Sequence, residues 1–240
     1  MLSKSQIKLI ISLQQKKYRN KYNLFIVEGK KSVLEFISSN FEIEKVFYTN
    51  EFKAFLSTDN KQLISASELK KISALKNPNQ ILGVFKIPIT KSTLNSGLIV
   101  ALDAVKDPGN LGTIIRLCDW FGIKQLVCST KTVDCFNPKV VQASMGSLTR
   151  ISIIYTNLVD YISKTDLPVF VSLMDGKNVY KTALPNDGIL VMGNEANGIS
   201  DAILNFASTK ISIPRFGNLL QTESLNVATA TAILLSEFRR

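Results

Sequence analysis

The chain has 240 residues, 45% of them hydrophobic, which suffices for a packed core and argues against wholesale disorder. It carries 29 Lys and Arg against 19 Asp and Glu and has no histidine, which removes any Ser-His-Asp triad, the commonest general base and the commonest metal ligand. No uncharged apolar run is long enough to cross a bilayer, and Cys118, Cys128 and Cys135 are an odd set without CxxC spacing, so membrane insertion, a disulfide framework and a zinc site are not expected, and the simplest location is a reducing cytoplasm.

Ser3 or Ser5 can cap a first helix on which Ile7, Ile10 and Ile11 recur at helical spacing, with "QQKKYRNKY" as its basic end. This segment lacks a secretory h-region and a small-residue cleavage site, and it is poor in Arg for an organellar presequence. "LFIV" reads as a strand, Gly29 turns the chain into the helix "KKSVLEFISS", and "KVFYT", "SELKKISAL" and "ILGVFKIP" read as strand, helix and strand. The alternation predicts a small α/β domain over residues 1–90, followed by a Ser- and Thr-containing linker at 91–97. Residues 1–97 hold 16 basic and 7 acidic side chains, whereas 98–240 hold 13 and 12. Such asymmetry suits a polyanion-binding part joined to a near-neutral part; the alternative is a merely soluble basic surface.

From Leu98 the pattern restarts. "LIVAL", "QLVCS", "RISIIY", "PVFVSLM", "GILVMG" and "KISIP" read as strands; between them lie the helices "GTIIRLCDWFG", "PKVVQASMG" with Pro138 at its start, "LVDYISK" and "SDAILNFA". "SLNVATATAILLSEFRR" is a long final helix. Apolar strands alternating with helices predict a mostly parallel sheet covered on both faces, over residues 98–240.

Three loops in this half carry polar residues where ligands bind in such sheets, beyond the carboxyl ends of the strands. The first, "DAVKDPGNLGTIIRLCDWFG", fails the Walker A test because no Lys follows Gly112, and it fails the Rossmann test because "GNLGTI" lacks GxGxxG. Asn110 would sit at the turn, either as a left-handed turn residue or near a helix N-terminus able to hold an anion. Arg116 lies among Ile114, Ile115 and Leu117, so a partly buried guanidinium with a partner is expected; a solvated helix Arg is the alternative. In the second loop, "GILVMGNEANGIS", Gly193 would permit close backbone approach and Glu195 is a lone acid at the rim. In the third, "ISIPRFGNLLQTESLNVATATAILL", Thr222 or Ser224 could cap the last helix, which would put Asn226 in its first turn.

In order and content, "NLGTIIR", "MGNEANGIS" and "IPRFGNLLQTESLNVATATAILL" resemble the three successive motifs of the SpoU (TrmH-type) RNA ribose methyltransferases of the SPOUT superfamily, and "NPKVVQASMGSL" fits between the first two. The resemblance covers roughly 98–240; "NLFIVEGKKSVLEFI" more loosely resembles the L30e-like substrate-binding domain of many members. It implies an L30e-like α/β domain followed by a parallel-sheet α/β domain with a C-terminal trefoil knot, homodimers with the final helix near the partner, and S-adenosylmethionine bound largely through backbone groups at Gly193, Ile213 and Leu225. It also implies methyl transfer to a ribose 2′-OH, with Asn110, Arg116, Glu195, Ser224 and Asn226 as the polar site. An L30e-like domain points to ribosomal RNA, bound through the basic N-terminal half by such residues as Lys16, Lys17, Arg19, Lys21, Lys30 and Lys31. A tRNA 2′-O-methyltransferase and a non-catalytic RNA-binding protein on the same scaffold are the alternatives.

Overall fold

Ser3 and Gln6 close a reciprocal capping box, but the helix they open, Lys4–Ser12 (α1), ends before the basic stretch. Gln15 is extended, and a second helix, Lys16–Tyr22 (α2), follows, so the single helix expected here is two. Arg19 explains the break. It is 1% exposed, and its Nη1 donates to the carbonyls of Leu13 and Gln14 at 2.9 and 3.0 Å. Its Nε and Nη2 donate to Asp134 Oδ2 at 3.0 and 2.5 Å. The guanidinium thus satisfies carbonyls that the end of α1 leaves open, and Arg19 is not available to RNA phosphates.

The computed structural model describes residues 1–50, 58–89, 94, 96–217 and 224–240. Most of the expected linker at 91–97, and Thr222, lie outside these residues. The described elements continue with Leu24–Glu28 (β1), Lys30–Ile37 (α3), Ile43–Tyr48 (β2), Lys61–Leu63 (β3), Ala66–Ile72 (α4), Ile81–Lys86 (β4), Leu98–Leu102 (β5), Pro108–Trp120 (α5), Gln125–Ser129 (β6), Pro138–Ser144 (α6), Ser152–Thr156 (β7), Leu158–Ile162 (α7), Val169–Asn178 (β8), Gly188–Met192 (β9), Asp201–Leu204 (α8), Thr209–Ser212 (β10) and Val227–Phe238 (α9). They form two compact units, one of Met1–Ile89 with Asp134–Thr149, the other of Thr90–Val133 with Arg150–Arg240.

The first unit is built on a sheet of order β1-β4-β2-β3, with β4 antiparallel to both neighbours and β3 parallel to β2. Successive residues of β1 serve opposite faces. Leu24 and Ile26 share a core with Ile10, Leu13, Leu69 and Ile72. Phe25 meets Phe36 of α3, Phe85 of β4 and Phe136 at centroid distances of 5.6, 6.0 and 4.6 Å. Phe136 belongs to a segment that comes after β6 in sequence, and α6 of the same segment packs against β1.

The second unit is an all-parallel sheet of order β10-β8-β9-β5-β6-β7. Every residue of β5, β6 and β9 is buried, as both-face coverage requires. Ile99, Val127, Val171, Ile189 and Val191 pack with Leu158, Ile162 and Ile203 from α7 and α8. The chain enters at β5, builds outward through β6 and β7, then crosses to the other side for β8 and β9. Because β5 and β9 are parallel neighbours, the loops leaving their carboxyl ends emerge side by side, at the reversal of strand order where ligands bind.

β8 runs to Asn178, well past the "PVFVSLM" strand expected from the sequence, and its pairing is interrupted. Thr209 and Lys210 pair with Phe170 and Val171, but Ile211 and Ser212 pair with Lys177 and Asn178. Residues 172–176 therefore leave the ladder and return to it. Gly176 makes the return feasible: a Cβ there would meet backbone atoms of Ile211 at 2.5 to 2.7 Å. Ser212 Oγ donates to the Gly176 carbonyl at 2.8 Å and fixes the crossing.

Cys118, Cys128 and Cys135 are buried free thiols. Burial pushes the Cys118 thiol far above its ordinary range, away from the reactive thiolate. The native chain is expected to show essentially no rapid reaction with dithiobis-nitrobenzoate, and to release the colour of all 3 cysteines once unfolded. Among the described residues, no group of His, Cys, Asp and Glu is placed to hold a metal ion, and no helix is long and apolar enough to cross a membrane.

Candidate active site

The loops that follow β5, β9 and β10 are each organised by a short polar side chain. After β5, Asp103 Oδ2 accepts the N–H of Ser200 at 2.8 Å, which ties this loop to the one after β9. Asp107 caps α5 by accepting the Asn110 N–H at 2.7 Å, with Pro108 at the first helical position. The helix therefore starts before Gly112, which is buried inside it, and Asn110 belongs to the first turn rather than to a preceding one.

The same helix settles the environment of Arg116. Leu111, Gly112, Ile114, Ile115 and Cys118 form the buried side of α5. Arg116 falls off that side; it is exposed and its side chain has no hydrogen bond or ion pair with another described residue, contrary to the partly buried guanidinium expected from its apolar neighbours. At about 100° per residue it stands roughly 120° around the helix from Asn110.

After β9 the chain doubles back. A Cβ on Gly193 would meet the carbonyl carbon of Gly198 at 2.4 Å and the nitrogen of Ile199 at 2.6 Å, so only glycine lets the loop fold onto the strand end. Asn194 and Gly198 exchange backbone hydrogen bonds at 2.8 and 2.9 Å. The Asn194 side chain accepts from the N–H groups of Ala196 and Asn197 at 2.9 and 3.2 Å and donates to the Ala104 carbonyl at 2.6 Å. Sequence reasoning passed over Asn194, Asp103 and Asp107. Their signal is a short Asp or Asn just beyond an apolar strand or just before Pro, where it can bond the backbone.

At the third loop the helix cap is Asn226, and neither Ser224 nor a first-turn position for Asn226 fits the structure. Asn226 Oδ1 accepts from the N–H groups of Ala228 and Thr229 at 2.9 and 3.2 Å. A carboxamide accepts at its oxygen and donates from a separate nitrogen, so its two kinds of bond can reach partners on different sides. Asn226 Nδ2 donates to Asn110 Oδ1 at 2.9 Å, and Asn110 Nδ2 donates to Glu195 Oε1 at 2.7 Å. The cap fixes the amide orientation of Asn226, Asn226 fixes that of Asn110, and the relay ends on a carboxylate that can only accept. Asn226→Asp keeps the capping acceptor but loses the donor to Asn110. It is expected to melt within a few degrees of the parent chain and to lose about tenfold or more in turnover, of the order assigned to an oriented polar contact; single-turnover assays beside a melting curve check this.

The loops enclose a cleft of about 930 Å³. Leu173 and Met174, from the excursion of β8, form one wall, and Ile213, Pro214, Leu225, Val227 and Ala230 form much of the rest. Gly193, Glu195, Ile213, Ser224, Leu225 and Asn226, all anticipated in the sequence, line it. Asn110 joins through its two hydrogen bonds; Arg116 does not line the cleft. The volume suits a ligand of nucleoside size, and apolar walls with polar loop backbone at one end suit a heteroaromatic ring carrying a cationic tail near Glu195. S-adenosylmethionine, the cofactor that the sequence resemblance implies, has that shape and charge. Gly193→Ala is expected to force the 193–199 loop open at a cost of about 1–3 kcal/mol, as overpacking does, and to weaken cofactor binding by about tenfold or more in calorimetry.

Fold and cleft define an α/β protein that takes a nucleoside-sized ligand beyond its strand ends without a Walker or Rossmann loop. The chain belongs to the SpoU rRNA methylase family, whose model matches residues 97–236. Residues 4–83 match the MRM3-like substrate-binding domain. The chain is 32% identical to the 23S rRNA (guanosine(2553)-2′-O)-methyltransferase RlmP of Bacillus subtilis (strain 168), over 95% of this chain and 93% of that protein. Among solved structures, a TrmH-family protein from Porphyromonas gingivalis superposes with a TM-score of 0.92 at 39% identity, covering 100% of this chain and 98% of the other. An AdoMet-bound rRNA methyltransferase from Sinorhizobium meliloti superposes with a TM-score of 0.88 at 28% identity, covering 100% and 96%.

Proposed function

We propose that this chain transfers the methyl group of S-adenosylmethionine to a ribose 2′-OH of ribosomal RNA, in the large subunit. The observation that carries the reading is the Asn226–Asn110–Glu195 relay at the edge of the cleft, which joins polar residues of all three family motifs into one oriented hydrogen-bond chain. Bound in the cleft, the cofactor supplies an electrophilic sulfonium methyl. Gly193, Ile213 and Leu225 would hold it, largely by backbone and apolar contact. The chain's task is then to align the hydroxyl with that methyl and to lower the cost of its deprotonation. Glu195 anchors Asn110; Asn110, Ser224 and Asn226 position the ribose. Arg116 acts electrostatically on the 2′-OH or the adjacent phosphate, since guanidinium stays protonated and is a poor base.

Because Arg116 stands outside its own chain's cleft, its reach to the ribose depends on how RNA, or a second copy of the chain, approaches α5. Trp120, 85% exposed on the same helix, supports a homodimer that covers it. We assign RNA binding to residues 1–90 and methyl transfer to 98–240, with a trefoil knot in the latter and a cytoplasmic location.

Two measurements test the reading. Calorimetry should show S-adenosylmethionine binding to the purified chain. Nucleoside mass spectrometry of ribosomal RNA from a deletion strain, before and after treatment with the chain and cofactor, should show one 2′-O-methylated nucleotide restored. A methylated base in its place refutes the reaction.

A further inference from the structure

The cations ahead of β1 form a surface of defined chemistry. Residues 1–27 contain no Asp or Glu. α2, KKYRNKY, has Arg19 as its buried residue and no aliphatic side chain, so the buried guanidinium is its main anchor. Tyr18 is half-buried, whereas Lys16, Lys17, Lys21 and Tyr22 are exposed, and the three lysines have no acidic partner among the described residues. Tyr18 and Tyr22, one turn apart, lie nearly parallel, with 13° between ring planes and 6.3 Å between centroids. Lys17 Nζ stands 4.8 Å from the centre of the Tyr18 ring, and Lys21 Nζ stands 5.4 Å from that of Tyr22. Lys17 and Lys21, four residues apart, repel each other, a cost that a bound polyanion relieves.

Aromatic faces set among unpaired cations, on a helix held rigid from beneath, match what single-stranded nucleic acid requires: a π-face for an unstacked base and ammonium groups for the flanking phosphates. An anionic membrane surface is less suited, because α2 has no aliphatic side chain to insert. We propose that α2 is a subsite for single-stranded RNA, in which an unpaired base stacks on Tyr22 while Lys16, Lys17 and Lys21 hold the phosphates around it. The proposal rests on RNA being the substrate.

The test uses the full chain and a fluorescein-labelled twelve-nucleotide oligouridine, read by anisotropy, with a duplex RNA of the same length as comparator. Tyr22→Ala is expected to weaken the single strand by about tenfold, the scale of one stacked base, and Tyr22→Trp is expected to restore it. Lys17→Gln with Lys21→Gln should reduce the slope of log affinity against log salt by about 0.7 for each phosphate no longer neutralised. Wild-type affinity in Tyr22→Ala, an equal loss with Tyr22→Trp, or an unchanged salt slope in the lysine pair would overturn the subsite. Arg19 is untouched in every variant, and unchanged melting curves will show that α2 remains docked. Cofactor binding, measured in the same preparations, reports on the methyltransferase reading separately: a chain that binds cofactor but not oligouridine loses only the subsite.

Discussion

Arg116→Ala is expected to lower methyl transfer by about a hundredfold or more, the scale of removing one preorganised donor to a developing charge, with S-adenosylmethionine affinity largely unchanged. The position makes the experiment clean. The Arg116 side chain is exposed, bonds to no other described residue, and lies off the buried side of α5, so alanine removes neither packing nor an internal partner. Alanine is also at least as good a helix former. A loss of turnover would therefore report on substrate or transition state and not on folding. Arg116→Lys should recover only part of the activity, because an ammonium supplies charge without the planar fork of donors. Normal turnover in the alanine variant would remove Arg116 from the reaction.

The largest stability effect is expected at Arg19. Replacing it with alanine leaves the Asp134 carboxylate and the carbonyls of Leu13 and Gln14 without their donor, in a place where the side chain was 1% exposed. Breaking a buried pair from one side costs about 3–5 kcal/mol, more than the pair contributes relative to an apolar substitute. Urea unfolding monitored by circular dichroism should show the loss, with the two units analysed as separate transitions where the curve requires it. Arg19→Lys should not rescue it, since one ammonium cannot reach two carbonyls and a carboxylate in that fork geometry. A loss below about 1 kcal/mol, the range of exposed ion pairs, would show that the burial confers nothing.

The strands of the second unit were legible because they are buried on both faces and therefore appear as uninterrupted apolar runs, as "LIVAL" and "GILVM" show. The polar residues beyond them were legible as a set through their order. Local helix starts were less so. Gly109 and Gly112 suggested a turn, although Asp107 and Pro108 already spelled a helix cap and first residue; Gly112 is small to fit a buried helix position, which periodicity does not reveal. Asn226 looked like a first-turn residue because Ser224 is the more familiar cap, yet the Asn226 amide both caps α9 and donates to Asn110. The excursion of β8 had no sequence signal beyond Gly176, because its cause is the pairing partner β10, more than thirty residues later. Arg116 was misjudged from its neighbours in sequence; its neighbours in space are set by the helix angle.

Residues 134–149 follow β6 in the chain but complete the unit that begins at Met1. During synthesis, the first ninety residues leave the ribosome before Asp134 and Phe136 exist. The nascent sheet then lacks the ring that sits 4.6 Å from Phe25, and Arg19 lacks its acid. The first unit can close only after residues 134–149 have been translated. A hybrid that exchanges this unit between relatives would need three junctions, one after residue 89 and one on each side of the borrowed 134–149 segment.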